Sequence, residues 1–160
     1  MTTTDGRAER LIGFCCLAAI AGLLVIGVVS HEIVRHLLQS SPFWIGAVLG
    51  LGRSGLARWA ALPPMLFWLL ISVLIWLYLL GVSTIVKGHY SPAEIAMTIV
   101  LAASAVTAAG AAVRSRARTR WWAALLTAAL AGTLQFAAFD LSVQPTFAHD
   151  SAVIAALGGR

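Results

Sequence analysis

Long apolar blocks alternate with short polar stretches along this chain, and neither the period of two of a half-buried strand nor a sustained amphipathic helical period runs through them. A helix of about 20 apolar residues crosses the ~30 Å hydrocarbon layer of a bilayer. Four blocks meet that length, and they predict membrane spans at about 11–29, 63–86, 95–113 and 121–139. The predicted fold is an all-α integral membrane protein, a four-helix bundle covering 11–140. A polar N-terminal tail (1–10) and a C-terminal tail (141–160) flank it.

The first block follows Arg7 and Arg10 and could pass for a secretory signal. Its apolar core is longer than the roughly 7–15 residues of such a peptide, so it reads as a retained helix. Between spans one and two, Ser40-Ser41-Pro42 has the form of a helix start, with serine as cap and proline in the first turn. The run that follows ends at Gly52. A helix over 42–52 rises only ~16 Å, which predicts a short interfacial or re-entrant segment. The alternative starts this helix near Leu37 and makes it a fifth span. Pro63-Pro64 is expected to open span two, and Ser91-Pro92-Ala93-Glu94 is a capping box opening span three.

Small residues mark the expected contacts. Ser104, Ala108 and Ala112 in span three, and Ala124, Ala128 and Gly132 in span four, recur every four residues, as in helices that pack closely in lipid. These two spans are expected to form a tight antiparallel hairpin. Ala18 and Gly22 give span one a shorter stripe. Span two, with Trp68 and Trp76, reads as a helix facing lipid or covered by a partner subunit.

The composition is 60% hydrophobic and 11% charged, far from the ~25% charge of soluble domains. The net charge of +5 sits at the ends of apolar blocks, where it meets lipid phosphates, so nucleic acid is not an expected partner. Arg114, Arg116, Arg118 and Arg120 alternate with small residues and run into Trp121 and Trp122, a headgroup anchor. With four spans this loop shares a side with Arg35, Arg53 and Arg58, against Arg7, Arg10, Lys87 and Arg160, and both termini lie outside. With five, Arg7 and Arg10 join the arginine loop and only Arg35, Lys87 and Arg160 oppose it. Either thread puts loop 114–120 in the cytoplasm by the positive-inside rule, and the membrane expected is the bacterial inner membrane.

Candidate chemistry is sparse. His31, Glu32 and His36 carry donor types that bind metals, but the histidines are five apart, unlike the i, i+4 pair of a zinc helix. The plainer reading is a polar collar. Glu94 is expected to cap a helix. Gln135, ~21 Å into span four, should hydrogen-bond between helices, whereas Asp140, ~29 Å along, reaches the far surface. Cys15 and Cys16 are expected to pack. No phosphate loop, nucleophile elbow or carboxylate pair is present, and the sequence leaves any cofactor unknown.

The expected function is therefore a non-catalytic accessory subunit or assembly factor of a multi-subunit membrane complex, with lipids and other subunits, or further copies of itself, as partners. Two alternatives stand beside it. One is a homo-oligomeric transporter or channel whose path runs between spans three and four past Gln135, Thr133, Thr107 and Ser104. The other is a metal- or haem-binding protein using His31, Glu32 and His36.

Overall fold

The computed structural model describes residues 5–86, 88–115 and 117–148. The expectations for Lys87, for Arg116 and for the tail beyond 148 lie outside the described residues. Within them the chain is all helix: α1 (Asp5–Val29), α2 (Ile33–Leu51), α3 (Ala57–Leu79), α4 (Pro92–Arg114), α5 (Trp121–Ser142) and the single turn α6 (Pro145–Ala148). Four of these, α1, α3, α4 and α5, are long and apolar enough to cross a membrane. The protein is an integral membrane helical bundle.

Helix α1 starts six residues ahead of the apolar block. Its buried stripe, Ile12, Cys16, Ala19 and Leu23, continues back to Glu9, which is 1% exposed. The helix ends where His31 takes a left-handed φ of 57°. The Glu32 amide then reaches back to the Gly27 carbonyl (2.9 Å), which satisfies one of the last carbonyls of the helix.

The segment expected at 42–52 is the second half of α2, a continuous 19-residue helix about 28 Å long. Pro42 does not start it. A proline at this position leaves the Leu38 carbonyl without its amide partner. The Ser41 hydroxyl donates to that carbonyl at 2.7 Å, and Ser40 donates to Leu37 at 2.9 Å. The two serines that resemble a cap repair the helix around the proline.

Helix α3 likewise runs through Pro63 and Pro64, beginning at Ala57 and stopping at Leu79 rather than at Val86. Gly81 (φ 73°) explains the early stop. With glycine left-handed there, the Val82 amide bonds the Leu77 carbonyl and the Gly81 amide bonds Tyr78, both at 2.9 Å. The predicted capping box of α4 is formed: the Glu94 amide donates to Ser91 Oγ (3.2 Å), and the Ser91 amide donates to Glu94 Oε2 (2.6 Å).

Helices α1 to α4 form a ring in chain order, each antiparallel to the next, with α4 closing back onto α1. Helix α5 lies outside the ring, across α2 and α3. The most extensive contact joins α1 and α2. A Cβ on Gly50 would lie 2.5 Å from the Gly13 amide nitrogen, and one on Gly46 would lie 2.7 Å from Cys16 Sγ. Gly46 and Gly50 make a small-xxx-small motif that lets two backbones touch.

The expected α4–α5 hairpin is absent, because these helices do not meet. Ala108 and Ala112 are buried inside the ring, and Leu101 packs on Gly22 of α1. Ser115, Ala117 and Thr119, which follow α4, are instead tied to the start of α3 and the turn before it. There Arg58 donates to the Ser115 and Ala117 carbonyls (3.1 Å each), and Thr119 Oγ1 donates to the Gly55 carbonyl (3.2 Å). Helix α5 therefore sets off beside α3, where Phe67 meets Phe136 and Phe139 edge-on. Its apolar window is 22% buried, against 56% for α1.

Candidate functional site

Toward the arginine-rich end the ring closes on small residues: Gly50, Ala57, Ala61, Ala108 and Ala112. Toward the other end its inward residues are Gln39, Trp68, Ser72, Thr98 and Leu101. A cavity of about 540 Å³ opens among them, within the ~300–1,000 Å³ range of small-molecule sites. The last turn of α1, the first turns of α2 and α4, the second half of α3 and the connection between α3 and α4 form its walls.

Most polar groups here are engaged. Arg35 Nη1 donates to Glu32 Oε2 at 2.8 Å. His36 Nδ1 donates to the Glu32 carbonyl at 2.9 Å, and since a carbonyl only accepts, Nδ1 carries the proton. Trp76 Nε1 donates to Thr98 Oγ1 (3.1 Å), and Ser72 Oγ donates to the Trp68 carbonyl (2.8 Å). Gln39 Nε2 donates to Ser142 Oγ at 2.9 Å, which ties α5 to the cavity's back wall. Tyr90, in the α3–α4 connection, stacks edge-on against Tyr78. Burial pushes its phenol above the ordinary tyrosine value, and Tyr78 and Glu94 add to the shift. Three buried atoms of its lining residues have no partner among the described residues: Gln39 Oε1, Trp68 Nε1 and Arg35 Nε. Gln39 is 2% exposed and Trp68 7%. Buried polar atoms without partners are uncommon enough to call for an explanation.

Of the proposed metal ligands, Glu32 and His36 line this cavity, while His31 sits exposed in the α1–α2 turn. Among the described residues, no three or more His, Cys, Asp or Glu side chains are grouped to hold a metal ion. Gln135 is buried at 1% exposure, but its expected interhelical hydrogen bond is missing: neither amide atom has a partner among the described residues. Asp140 is exposed at the cavity's end of the bundle.

The path expected between spans three and four has no walls, since α4 and α5 are apart and Thr107 and Thr133 face outward. Ala18 and Ser104 border a shallow groove on the outside of α1 and α4, whereas Ala124 is buried and Ala128 and Gly132 are half-buried. Trp68 and Trp76 point into the bundle rather than toward lipid. Arg114, Arg118, Arg120, Trp121 and Trp122 are exposed at the opposite end, with Trp121 at 75%.

Two features escaped the sequence reading although a signal existed. Gly46 and Gly50 stand at spacing four in plain view. Glu9 extends the three-and-four spacing of the α1 stripe, and its Oε1 accepts from Ser115 Oγ at 2.5 Å. Comparison with protein-family models, with curated proteins and with solved structures gives no significant match.

Proposed function

We propose that this chain is a bacterial inner-membrane protein with five membrane-crossing helices that binds a small molecule in the cavity opposite its arginine-rich end. Helix α2 counts as a crossing because it is about 28 Å long and lies antiparallel along α1, from Gly13 beside Gly50 to Gly27 beside His36. That thread gathers Arg7, Arg10, Arg53, Arg58 and the arginines of the 114–120 loop at one end. The positive-inside rule makes it the cytoplasmic end, so the cavity opens toward the outside.

The observation that carries the binding reading is the cavity itself, a concave space with convergent polar groups above an apolar floor. Native mass spectrometry of protein released from membranes tests it. Wild-type protein carries a small-molecule adduct that Ser72→Trp, which fills the cavity, has lost. Wild type flying bare, or an adduct equally retained by the filled variant, overturns the reading.

A second reading is a non-catalytic accessory subunit of a larger membrane complex. It rests on the outer face of α5, where Leu130 and Phe136 are 69% and 65% exposed, and on the small-residue groove along α1 and α4. Purification in mild detergent tests it: a monomer without a partner overturns it.

A further inference from the structure

We propose that the occupant of the cavity is a neutral, membrane-dissolved amphiphile whose head bears both a hydrogen-bond donor and an acceptor, a hydroxyl or amide, and which enters sideways from the bilayer. This rests on the binding reading above and names its ligand class.

The head chemistry follows from what the cavity leaves unpaired. Of its carboxylates, Glu32 is paired with Arg35 at 2.8 Å, and one oxygen of Glu94 accepts from the Ser91 amide at 2.6 Å in the capping box. Among the described residues, the lining also holds three fully buried atoms without a partner, an acceptor, Gln39 Oε1, and two donors, Trp68 Nε1 and Arg35 Nε. A hydroxyl or amide satisfies both kinds. A carboxylate would be brought against Glu32 and Glu94 in a poorly solvated space. An ammonium would answer Gln39 but leave both donors orphaned, at the full desolvation cost of each.

The tail chemistry follows from the floor. Ile26, Ile71, Ile75 and Leu101 line the space beyond the polar groups and suit a hydrocarbon chain.

The route follows from the connection between α3 and α4. Leu80, Val82 and Ile85 are 70%, 71% and 77% exposed on it, while Val86, Gly88 and Tyr90 of the same stretch wall the cavity. A segment apolar on its outside belongs at the lipid interface rather than in water. The cavity's outer wall is thus a piece of chain in contact with the bilayer, and a ligand dissolved there reaches the site without crossing water.

The test uses the full chain in phosphatidylcholine nanodiscs and a diazirine-bearing octanol as photoreactive probe, with adducts mapped by peptide mass spectrometry. Adducts are expected on Ile71 and Tyr90. Dodecanol is expected to displace them about tenfold more effectively than dodecanoate or dodecyltrimethylammonium. Trp68→Phe, which removes an N–H that has no partner among the described residues together with part of the buried ring, is expected to weaken labelling roughly three- to tenfold, the worth of one hydrogen bond. Its melting temperature reports whether it still folds. Stronger displacement by either charged competitor overturns the neutral-head class and leaves cavity binding standing. Adducts confined to lipid-facing positions of α5 such as Leu130 overturn the binding reading as well.

Discussion

Replacing Gly50 with alanine tests the helix contact on which the bundle is built. A Cβ there would lie 2.5 Å from the Gly13 amide nitrogen, 2.6 Å from Gly13 Cα and 2.7 Å from the Glu9 carbonyl oxygen. Ordinary contacts of this kind begin near 3.4 Å. All three neighbours are backbone, so no side-chain rotation relieves the clash, and α1 and α2 must separate by nearly an ångström. Overpacking of that sort costs about 1–3 kcal/mol. It is offset by the gain of up to about 1 kcal/mol that alanine brings to any helix interior. Gly110→Ala isolates that gain, because a Cβ at Gly110 meets nothing within 4 Å. The alanine gain is common to both variants, so they should differ by the overpacking cost, about 1–3 kcal/mol. At roughly 3 °C per kcal/mol for a chain of this size, Gly50→Ala should melt about 3–9 °C below Gly110→Ala. Thermal denaturation in one detergent, followed by circular dichroism, measures this. Equal melting temperatures, or Gly50→Ala above wild type, would refute a backbone-to-backbone contact at this site.

Other substitutions probe the remaining joints. His31→Gly relieves a left-handed backbone at a non-glycine residue and should raise stability by up to about 1 kcal/mol in the same melt; a fall would mean that the imidazole holds something. Arg58→Met removes both bonds to the Ser115 and Ala117 carbonyls and should cost about 1–3 kcal/mol, with faster protease nicking of that loop as a second readout. Gln135→Leu replaces two buried atoms that have no partner among the described residues with an apolar side chain of similar size. It should leave the melting temperature unchanged or higher, and a marked drop would reveal a partner for the amide.

What the sequence made legible follows from how local each cause is. The capping box of α4 needs only Ser91 and Glu94, and it is present as read. The apolar blocks locate most of α1, α4 and α5, because lipid-crossing length is a property of one stretch of chain. Helix α2 was not legible, since Ser40-Ser41-Pro42 reads equally as a start and as a repaired interior, and only neighbours that bury Gln39 and Ser40 choose between them. The α4 and α5 stripes show that a backbone can be approached closely but do not name the partner. Phe67 and Arg58, both on α3, decide that, and neither lies in a stripe. The cavity was the least visible feature. Gln39, Trp68 and Thr98 belong to three helices, and each looks like an isolated polar or aromatic residue until the ring brings them together.

Whether α2 crosses the membrane decides the topology and hence which compartment the cavity faces. The direct measurement is labelling of single cysteines at Arg7, Val82 and Arg118 with a membrane-impermeant maleimide, in intact cells and in inverted vesicles. Native Cys15 and Cys16 are buried and stay silent. Five crossings predict that Arg7→Cys and Arg118→Cys label only in inverted vesicles and Val82→Cys only in intact cells. Labelling of Arg7→Cys in intact cells, with Arg118→Cys still protected, would put the N-terminus outside and contradict the crossing of α2.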